Sequence, residues 1–261
     1  MKTKSVGFFV TCLVDLIRPQ IAEACLKLLE DAGCKVIVPA KQSCCGQPAY
    51  NGGDEKGAKK IAAAMLDCLE PFERIIVPSG SCADMLAHHY VTLFPAPHPL
   101  HDKAASLKER VKELSVFLVD ECGFSPQDNG LKGSAAYHDS CSSLRAMQID
   151  AAPRQLFNQH KDFAIKNIDR RDRCCGFGGL FCVKHPDISN QMVEDKVKAI
   201  EATQPNYLTA GDLGCLMNIA GKLARQQSHI KAYHYAELLA FGDKFPALNE
   251  IACETTKFSG G

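Results

Sequence analysis

The triplet Cys44-Cys45-Gly46 decides the architecture of this chain, because it returns later as Cys174-Cys175-Gly176. A single cysteine precedes each triplet, with 31 residues between them in the first half and 32 in the second. A further cysteine follows each pair after 36 and 39 residues. The order C…CCG…C therefore occurs twice in register, which predicts two halves related by duplication. The repeated cysteines are Cys12, Cys44, Cys45, Cys82, Cys141, Cys174, Cys175 and Cys215.

The composition argues against two classes of protein, disordered chains and general nucleic-acid binders. The chain has 261 residues, 46% of them hydrophobic, which is enough apolar surface to exclude a disordered protein. Its formal charge is zero, whereas a general nucleic-acid binder carries a basic excess. No signal peptide and no apolar run of membrane-spanning length are found, so we expect a cytoplasmic protein. In that reducing compartment its 14 cysteines are expected to be free or metal-bound rather than paired in disulfides.

Short apolar runs precede the cysteine loops and predict strands, while helical periodicity fills the intervals between them. The predicted strands are residues 6–10, 35–38, 74–77, 134–137, 163–165, 207–208 and 230–233, and the predicted helices are 21–33, 61–69, 153–159, 189–203 and 236–241. Alternating strands and helices predict an α/β fold of two pseudo-symmetric halves, with mostly parallel sheets flanked by helices. The cysteines then lie at the carboxyl ends of the strands, where open α/β sheets bind ligands.

The halves are expected to be joined by a connector. We divide the chain into a first half at 1–100, a connecting helix and loop at 101–133, a second half at 134–241 and a tail at 242–261. Within the connector, apolar residues from Leu107 to Cys122 recur at spacings of three and four. This spacing predicts one continuous amphipathic helix.

Each half offers four thiols, the ligand number of the common iron–sulfur clusters. Adjacent cysteines converge only in a bend, and the glycine after each pair supplies the backbone freedom for one. Structural zinc also takes four thiolates, but its usual signature of two short C-x2–4-C motifs is absent. A vicinal disulfide switch at Cys44-Cys45 is a further alternative, although it leaves Cys12 and Cys82 without a role. The pattern favours a cluster at each site.

Residues outside the repeat have structural interpretations. The remaining cysteines are expected to be buried apolar side chains; they are Cys25, Cys34, Cys68, Cys122, Cys182 and Cys253. Cys182 alone is close enough to the second pair to be considered a reactive thiol. His138 and Asp139, just before Cys141, are candidates for a proton donor or a hydrogen bond to sulfur, against a purely structural role.

The motif residues resemble those of a known family. The stretches that carry the resemblance are Phe9-Val10-Thr11-Cys12, Gln42-Ser43-Cys44-Cys45-Gly46-Gln47-Pro48-Ala49, Gly80-Ser81-Cys82, Tyr137-His138-Asp139-Ser140-Cys141 and Cys174-Cys175-Gly176-Phe177-Gly178-Gly179. They are similar to the cysteine-rich CCG domain that occurs in heterodisulfide reductase, in the glycolate oxidase iron–sulfur subunit and, most closely, in the lactate utilization protein A family. The similarity runs from about residue 5 to about residue 241.

The resemblance implies an iron–sulfur electron-transfer subunit of a system that oxidises L-lactate to pyruvate. It further implies two clusters, expected to be [4Fe-4S], and two other lactate-utilization subunits, one of them ferredoxin-like. Heterodisulfide reductase has a further cysteine three positions past the last one, where this chain has Met85 and Asn218. Four thiolates per site are therefore expected, with the Met85 thioether as a candidate fifth ligand. A cluster-dependent thiol/disulfide reductase and a zinc-stabilised structural protein remain alternatives, and no catalytic residue is assigned.

Overall fold

Two parallel sheets of identical topology form the framework of the computed structural model, which describes residues 4–251. The first sheet has the order β2-β1-β3-β4 and the second β6-β5-β7-β8, and every adjacent pair of strands is parallel. The strands are β1 Lys4–Phe8, β2 Cys34–Ile37, β3 Ile75–Val77, β4 Val111–Glu113, β5 Gly133–His138, β6 Phe163–Asn167, β7 Tyr207–Ala210 and β8 Lys231–His234. The equal strand orders confirm the predicted α/β fold with duplicated halves.

Helices connect the strands within the described range. They are α1 Cys12–Ile17, α2 Gln20–Asp31, α3 Gln47–Asn51, α4 Glu55–Leu69, α5 Gly80–Asp84, α6 Tyr90–Leu93, α7 His101–Arg110, α8 Leu114–Val116, α9 Ala151–Leu156, α10 Phe181–Lys184, α11 Pro186–Glu201, α12 Leu213–Arg225 and α13 Tyr235–Phe241. Three π-helical segments continue or replace α-helix at Met85–His89, Phe117–Glu121 and Ser142–Ala146. Among residues 4–251, none of these helices is long and apolar enough to cross a membrane.

The inner strands of the first sheet, β1 from Val6 onward and β3, are buried on both faces, as strands of parallel sheets usually are. Val6, Phe8 and Ile76 point into a core that is continuous with the second half. Ile75 and Val77 point into a separate core beneath α4 and α7. The two halves therefore share apolar packing, and they are not joined only by the connecting chain.

The prediction of one continuous helix through the connector is wrong at residues 111–113. Helix α7 ends at Arg110, and Val111–Glu113 instead form β4, which pairs with β3 in parallel register. The Glu113 carboxylate accepts the backbone N–H groups of Ser115 and Val116, so the chain restarts as a helix there. The apolar spacing spans this break without revealing it, because buried strand residues also satisfy the spacing.

The tail packs against the second sheet as far as the structure describes it. Asn249 accepts a hydrogen bond from the backbone N–H of Ala232 and donates one to the carbonyl of Ile230, both at 3.0 Å. Ala247 is fully buried. Cys253 and the rest of the predicted tail from residue 252 lie outside the described residues.

Candidate functional site

All eight cysteines of the repeat line one cavity of about 270 Å³. Loops from both halves contribute to its wall, so the duplicated sites open onto the same space. Its other lining residues include Leu13, Phe177 and Leu180, together with a buried carboxylate, Asp212. The prediction that the cysteine loops converge at the carboxyl ends of the strands agrees with this arrangement.

The first set consists of two close pairs of thiols. The Sγ atoms of Cys12 and Cys44 are 3.5 Å apart, and those of Cys45 and Cys82 are 3.3 Å apart. Cys12 begins α1, and Cys82 lies in the first turn of α5, where Ser79 caps the helix. The first turns of two helices therefore each contribute one thiol to this set.

The second set repeats this arrangement. Cys141 and Cys174 interact through their side chains, and so do Cys175 and Cys215. Cys175 and Cys215 are 2% and 9% exposed, the same values as for Cys45 and Cys82 in the first set. Cys215 lies in the first turn of α12. The eight thiols thus form two similar groups of four, in which Cys141 is exposed whereas Cys12 is half-buried.

A left-handed glycine shapes each paired loop. Gly46 has φ of 88° and Gly176 has φ of 86°. This bend directs the backbone N–H of each glycine at the sulfur of the first cysteine in the pair, at 3.4 Å in both halves. The predicted role of the glycine is therefore observed, and it adds a hydrogen bond to sulfur.

A side chain from the following helical segment holds the second cysteine of each pair by its carbonyl. In the first half the Tyr90 hydroxyl donates to the carbonyl of Cys45 at 2.9 Å. In the second half the Asn218 amide donates to the carbonyl of Cys175 at 2.8 Å. Different residue types thus perform the same positioning task, and for that reason the sequence repeat did not reveal them.

One thiol in each set is strongly acidified. The hydrogen bond from the Cys12 thiol lowers the pKa of Cys44 to about 3, because it stabilises the Cys44 thiolate. The corresponding interaction with the Cys141 thiol lowers the pKa of Cys174 to about 2. Each set therefore contains a thiolate at neutral pH, the form of cysteine that binds metals.

Asp212 joins the two halves beside the thiols. One carboxylate oxygen accepts hydrogen bonds from the hydroxyls of Ser79 and Ser81, both at 2.6 Å. The other accepts a hydrogen bond from Ser140 in the second half. Asp212 and Ser79 each lie three residues before the last cysteine of their half, and both are helix N-caps. That shared position is the one feature of the sequence that could have revealed this network.

His138 lies next to the second set and has no partner. It is 1% exposed, and neither ring nitrogen has a hydrogen-bond partner among residues 4–251. One of its nitrogens lies with the sulfurs of Cys175 and Cys215 in a group whose atoms are all within 4.8 Å of one another. Burial lowers the pKa of His138 to about 3, so the imidazole is neutral.

The remaining cysteines lie outside the two sets. Every cysteine among residues 4–251 is free of disulfide bonds. Cys25 is fully buried as predicted, and Cys34 is 4.0 Å from Cys122, sulfur to sulfur. Cys182 is half-buried, and its thiol faces the carbonyl of Gly179 at 3.7 Å.

Met85 is the candidate fifth ligand of the first site. Its side chain is fully buried in the core under α4 and does not line the cavity.

The donor chemistry of the two sets fits a metal or a metal cluster. Four soft sulfur ligands per set suit iron in iron–sulfur clusters and also zinc. The buried imidazole of His138, beside the second set, has no hydrogen-bond partner among the described residues. A metal or cluster bound by this set would give it a partner to hydrogen-bond or coordinate.

Two parallel α/β units, each with a cysteine pair facing two single cysteines, define a protein with two cysteine-rich domains. The profile of the cysteine-rich domain CCG matches residues 6–87 and 135–220. The chain is 41% identical over 237 residues to Lactate utilization protein A 2 of Bacillus cereus (strain AH820). Its identity to Lactate utilization protein A 1 of Bacillus anthracis (strain CDC 684) is the same over the same length. Each alignment covers 91% of this chain and 98% of the relative. Lactate utilization protein A of Geobacillus sp. (strain WCH70) is 41% identical over 234 residues, covering 90% of this chain and 98% of the relative. The chain belongs to the lactate utilization protein A family.

Proposed function

We propose that this protein is an iron–sulfur electron-transfer subunit of a multi-protein system that oxidises L-lactate to pyruvate. The observation that carries the proposal is the gathering of eight thiols into two sets of four around one cavity. Lactate as the substrate of the system follows from the names of the relatives, which are 41% identical over nearly their whole length.

The proposed ligands of the first cluster are Cys12, Cys44, Cys45 and Cys82, and those of the second are Cys141, Cys174, Cys175 and Cys215. Four thiolates per site support a [4Fe-4S] cluster at each. A cluster held there supplies one-electron transfer. The acidified Cys44 and Cys174 provide the first thiolates for assembly, and the N–H groups of Gly46 and Gly176 stabilise the charge on their sulfurs.

The proposed partners are two other lactate-utilization subunits, one of them a ferredoxin-like iron–sulfur protein. The letter in the relatives' name supports the existence of further subunits. Two clusters in one chain would let electrons pass from one partner through this protein to the next.

Site-by-site substitution tests the ligand assignment. In anaerobically purified protein, Cys45→Ser is expected to abolish the EPR signal and iron of the first site only, and Cys175→Ser those of the second only. Cys68→Ser is the matched control, because this thiol lies outside both sets and does not line the cavity. Unchanged iron and colour in both site variants would show that the ligands are assigned wrongly.

A thiol/disulfide reductase is the second candidate function, and it is favoured by the shared cavity, which both thiol sets line. Two assays separate the candidates. Deletion of the gene in its host is expected to abolish growth on L-lactate without a thiol-related phenotype, and the isolated protein is expected not to reduce disulfides. Rapid disulfide reduction by the isolated chain would favour the second candidate instead.

A further inference from the structure

The two halves provide a built-in comparison, because corresponding positions can be identified from the cysteine register. His138 and Phe9 each lie three residues before the single cysteine that opens their half. Both side chains are buried, His138 at 1% exposure and Phe9 at 0%. The second site thus has an imidazole where the first has a hydrocarbon ring.

At a second pair of corresponding positions, the first half again has a less polar side chain than the second half. If Gly46 carried a Cβ atom, that atom would lie 3.8 Å from the carbonyl oxygen of Ala58 in α4. The same atom on Gly176 would lie 2.8 Å from the carbonyl oxygen of Ser189 in α11. Ala58 and Ser189 therefore occupy corresponding positions in the two halves. Seven residues further along each helix are Met65 and Lys196, both almost fully buried. The first site therefore has a thioether where the second has an amino group.

Both differences make the second site more favourable for negative charge. The unpartnered ring of His138 lies within 4.8 Å of the sulfurs of Cys175 and Cys215, so its N–H has sulfur as the available acceptor. Burial lowers the pKa of Lys196, and the nearby Cys175 opposes that shift. The Nζ of Lys196 donates to the carbonyls of Arg170 and Arg171 at 3.5 and 3.4 Å, in the loop that leads to Cys174. Hydrogen bonds to sulfur and local charge are among the factors that set the reduction potential of an iron–sulfur cluster. Each reduction adds one negative charge, which a donor or a cation stabilises.

We propose that the second site is the more easily reduced of the two, because His138 donates its ring N–H to sulfur of the group bound there and Lys196 adds a positive charge. This inference rests on the proposed function, in which each site binds an iron–sulfur cluster. Electron transfer from the first site to the second is then favourable. The first site is oxidised and the second reduced by one electron, and no atom is transferred.

A redox titration of the anaerobic holoprotein, followed by EPR, tests this order. We expect two separate midpoint potentials in the wild type, the higher one missing in Cys175→Ser and the lower one missing in Cys45→Ser. His138→Phe, which copies the first site, is expected to lower the higher potential and leave the other unchanged. Lys196→Met is expected to act in the same direction. His138→Gln retains an N–H donor and is expected to keep most of the separation.

Phe9→Leu is the matched control at the equivalent position and is expected to shift neither potential. Equal potentials in the wild type, a lower potential at the second site, or an unchanged potential in His138→Phe would overturn the inference. A shift of the same size in Phe9→Leu would also overturn it, because packing alone would then explain the effect.

A second measurement keeps the inference testable if His138→Phe loses iron from its site. In protein labelled with ¹⁵N-histidine, pulsed EPR is expected to show nitrogen coupling to one of the two clusters, and this coupling is expected to be absent in His138→Gln. A wild type without any such coupling would contradict the hydrogen bond. Wild-type protein without iron and sulfide would instead overturn the proposed function itself, so the two failures are distinguishable.

Discussion

Single hydrogen bonds hold the second cysteine of each pair in position. Tyr90 donates to the carbonyl of Cys45, and Asn218 donates to the carbonyl of Cys175. Removing either donor leaves a carbonyl without its partner, which costs about 1–3 kcal/mol when the group is buried. The two contacts are independent, since each belongs to a different half.

We therefore predict that Tyr90→Phe accelerates the loss of iron from the first site and Asn218→Ala from the second. Loss of each EPR signal is followed after addition of an iron chelator under anaerobic conditions. Each variant is the control for the other. Equal acceleration at both sites, or none at either, would show that these donors do not position the cysteine pairs.

Glu113 predicts a pH dependence of stability. Burial raises its pKa above the ordinary value near 4.5, although Ser115 and the Tyr235 hydroxyl donate hydrogen bonds to it. A carboxyl group with a raised pKa binds more protons in the folded state, so its contribution to stability is complete below pH 4.5 and is lost as the pH rises through the raised pKa.

Glu113→Gln removes this titration. Compared with wild type, its free energy of unfolding in urea is expected to fall less as the pH increases above 4.5. Parallel curves for the two proteins would contradict the raised pKa.

At the scale of elements, the sequence predicts a strand where an apolar run ends just before a cysteine loop. The runs near Val6, Ile75 and Ala135 correspond to β1, β3 and β5 within a few residues, because buried parallel strands are apolar throughout. Strand β4 was missed, since its three residues fit the spacing of the preceding helix. The repeat identifies the eight cysteines that line the cavity, and their role as cluster ligands stays a prediction.

Apart from the shared position of Ser79 and Asp212, three residues before the last cysteine of each repeat, the sequence does not indicate the groups that support those thiols. Asp212 binds Ser79 and Ser140, which are 133 and 72 positions away in sequence, and nothing local in the sequence indicates these pairings. His138 stands out in the sequence, but its lack of a partner is a property of the folded interior.

The paired loops predict a difference between two matched glycine substitutions. Alanine at either position must adopt a left-handed backbone, which costs about 1–2 kcal/mol. At Gly176 the added Cβ would also lie 2.8 Å from the carbonyl of Ser189, whereas at Gly46 its closest contact is a side-chain carbon of Ile61 at 3.4 Å. We expect Gly176→Ala to lose more stability and to lose iron from the second site, and Gly46→Ala to be milder. Urea unfolding and iron analysis check this order, and the reverse order would contradict the loop geometry.

At the scale of the whole molecule, the halves are joined by packing and by the Asp212 carboxylate, which accepts serine hydroxyls from both sides. Asp212→Ala leaves these hydroxyls without their charged acceptor. Because hydrogen bonds to charged groups are worth about 1.5–3 kcal/mol each, we expect a loss of about 3 kcal/mol or more in the free energy of unfolding. Asp120→Ala, an exposed position, is the control and is expected to change it by less than about 0.5 kcal/mol. Equal effects of the two substitutions in urea unfolding would show that Asp212 does not join the halves.

The most direct test of the two-cluster account is the metal and acid-labile sulfide content of the anaerobically purified wild-type protein. Two [4Fe-4S] clusters predict about four iron and four sulfide per set of cysteines, with no zinc in stoichiometric amount. Zinc without sulfide, or iron sufficient for only one set, would contradict the account.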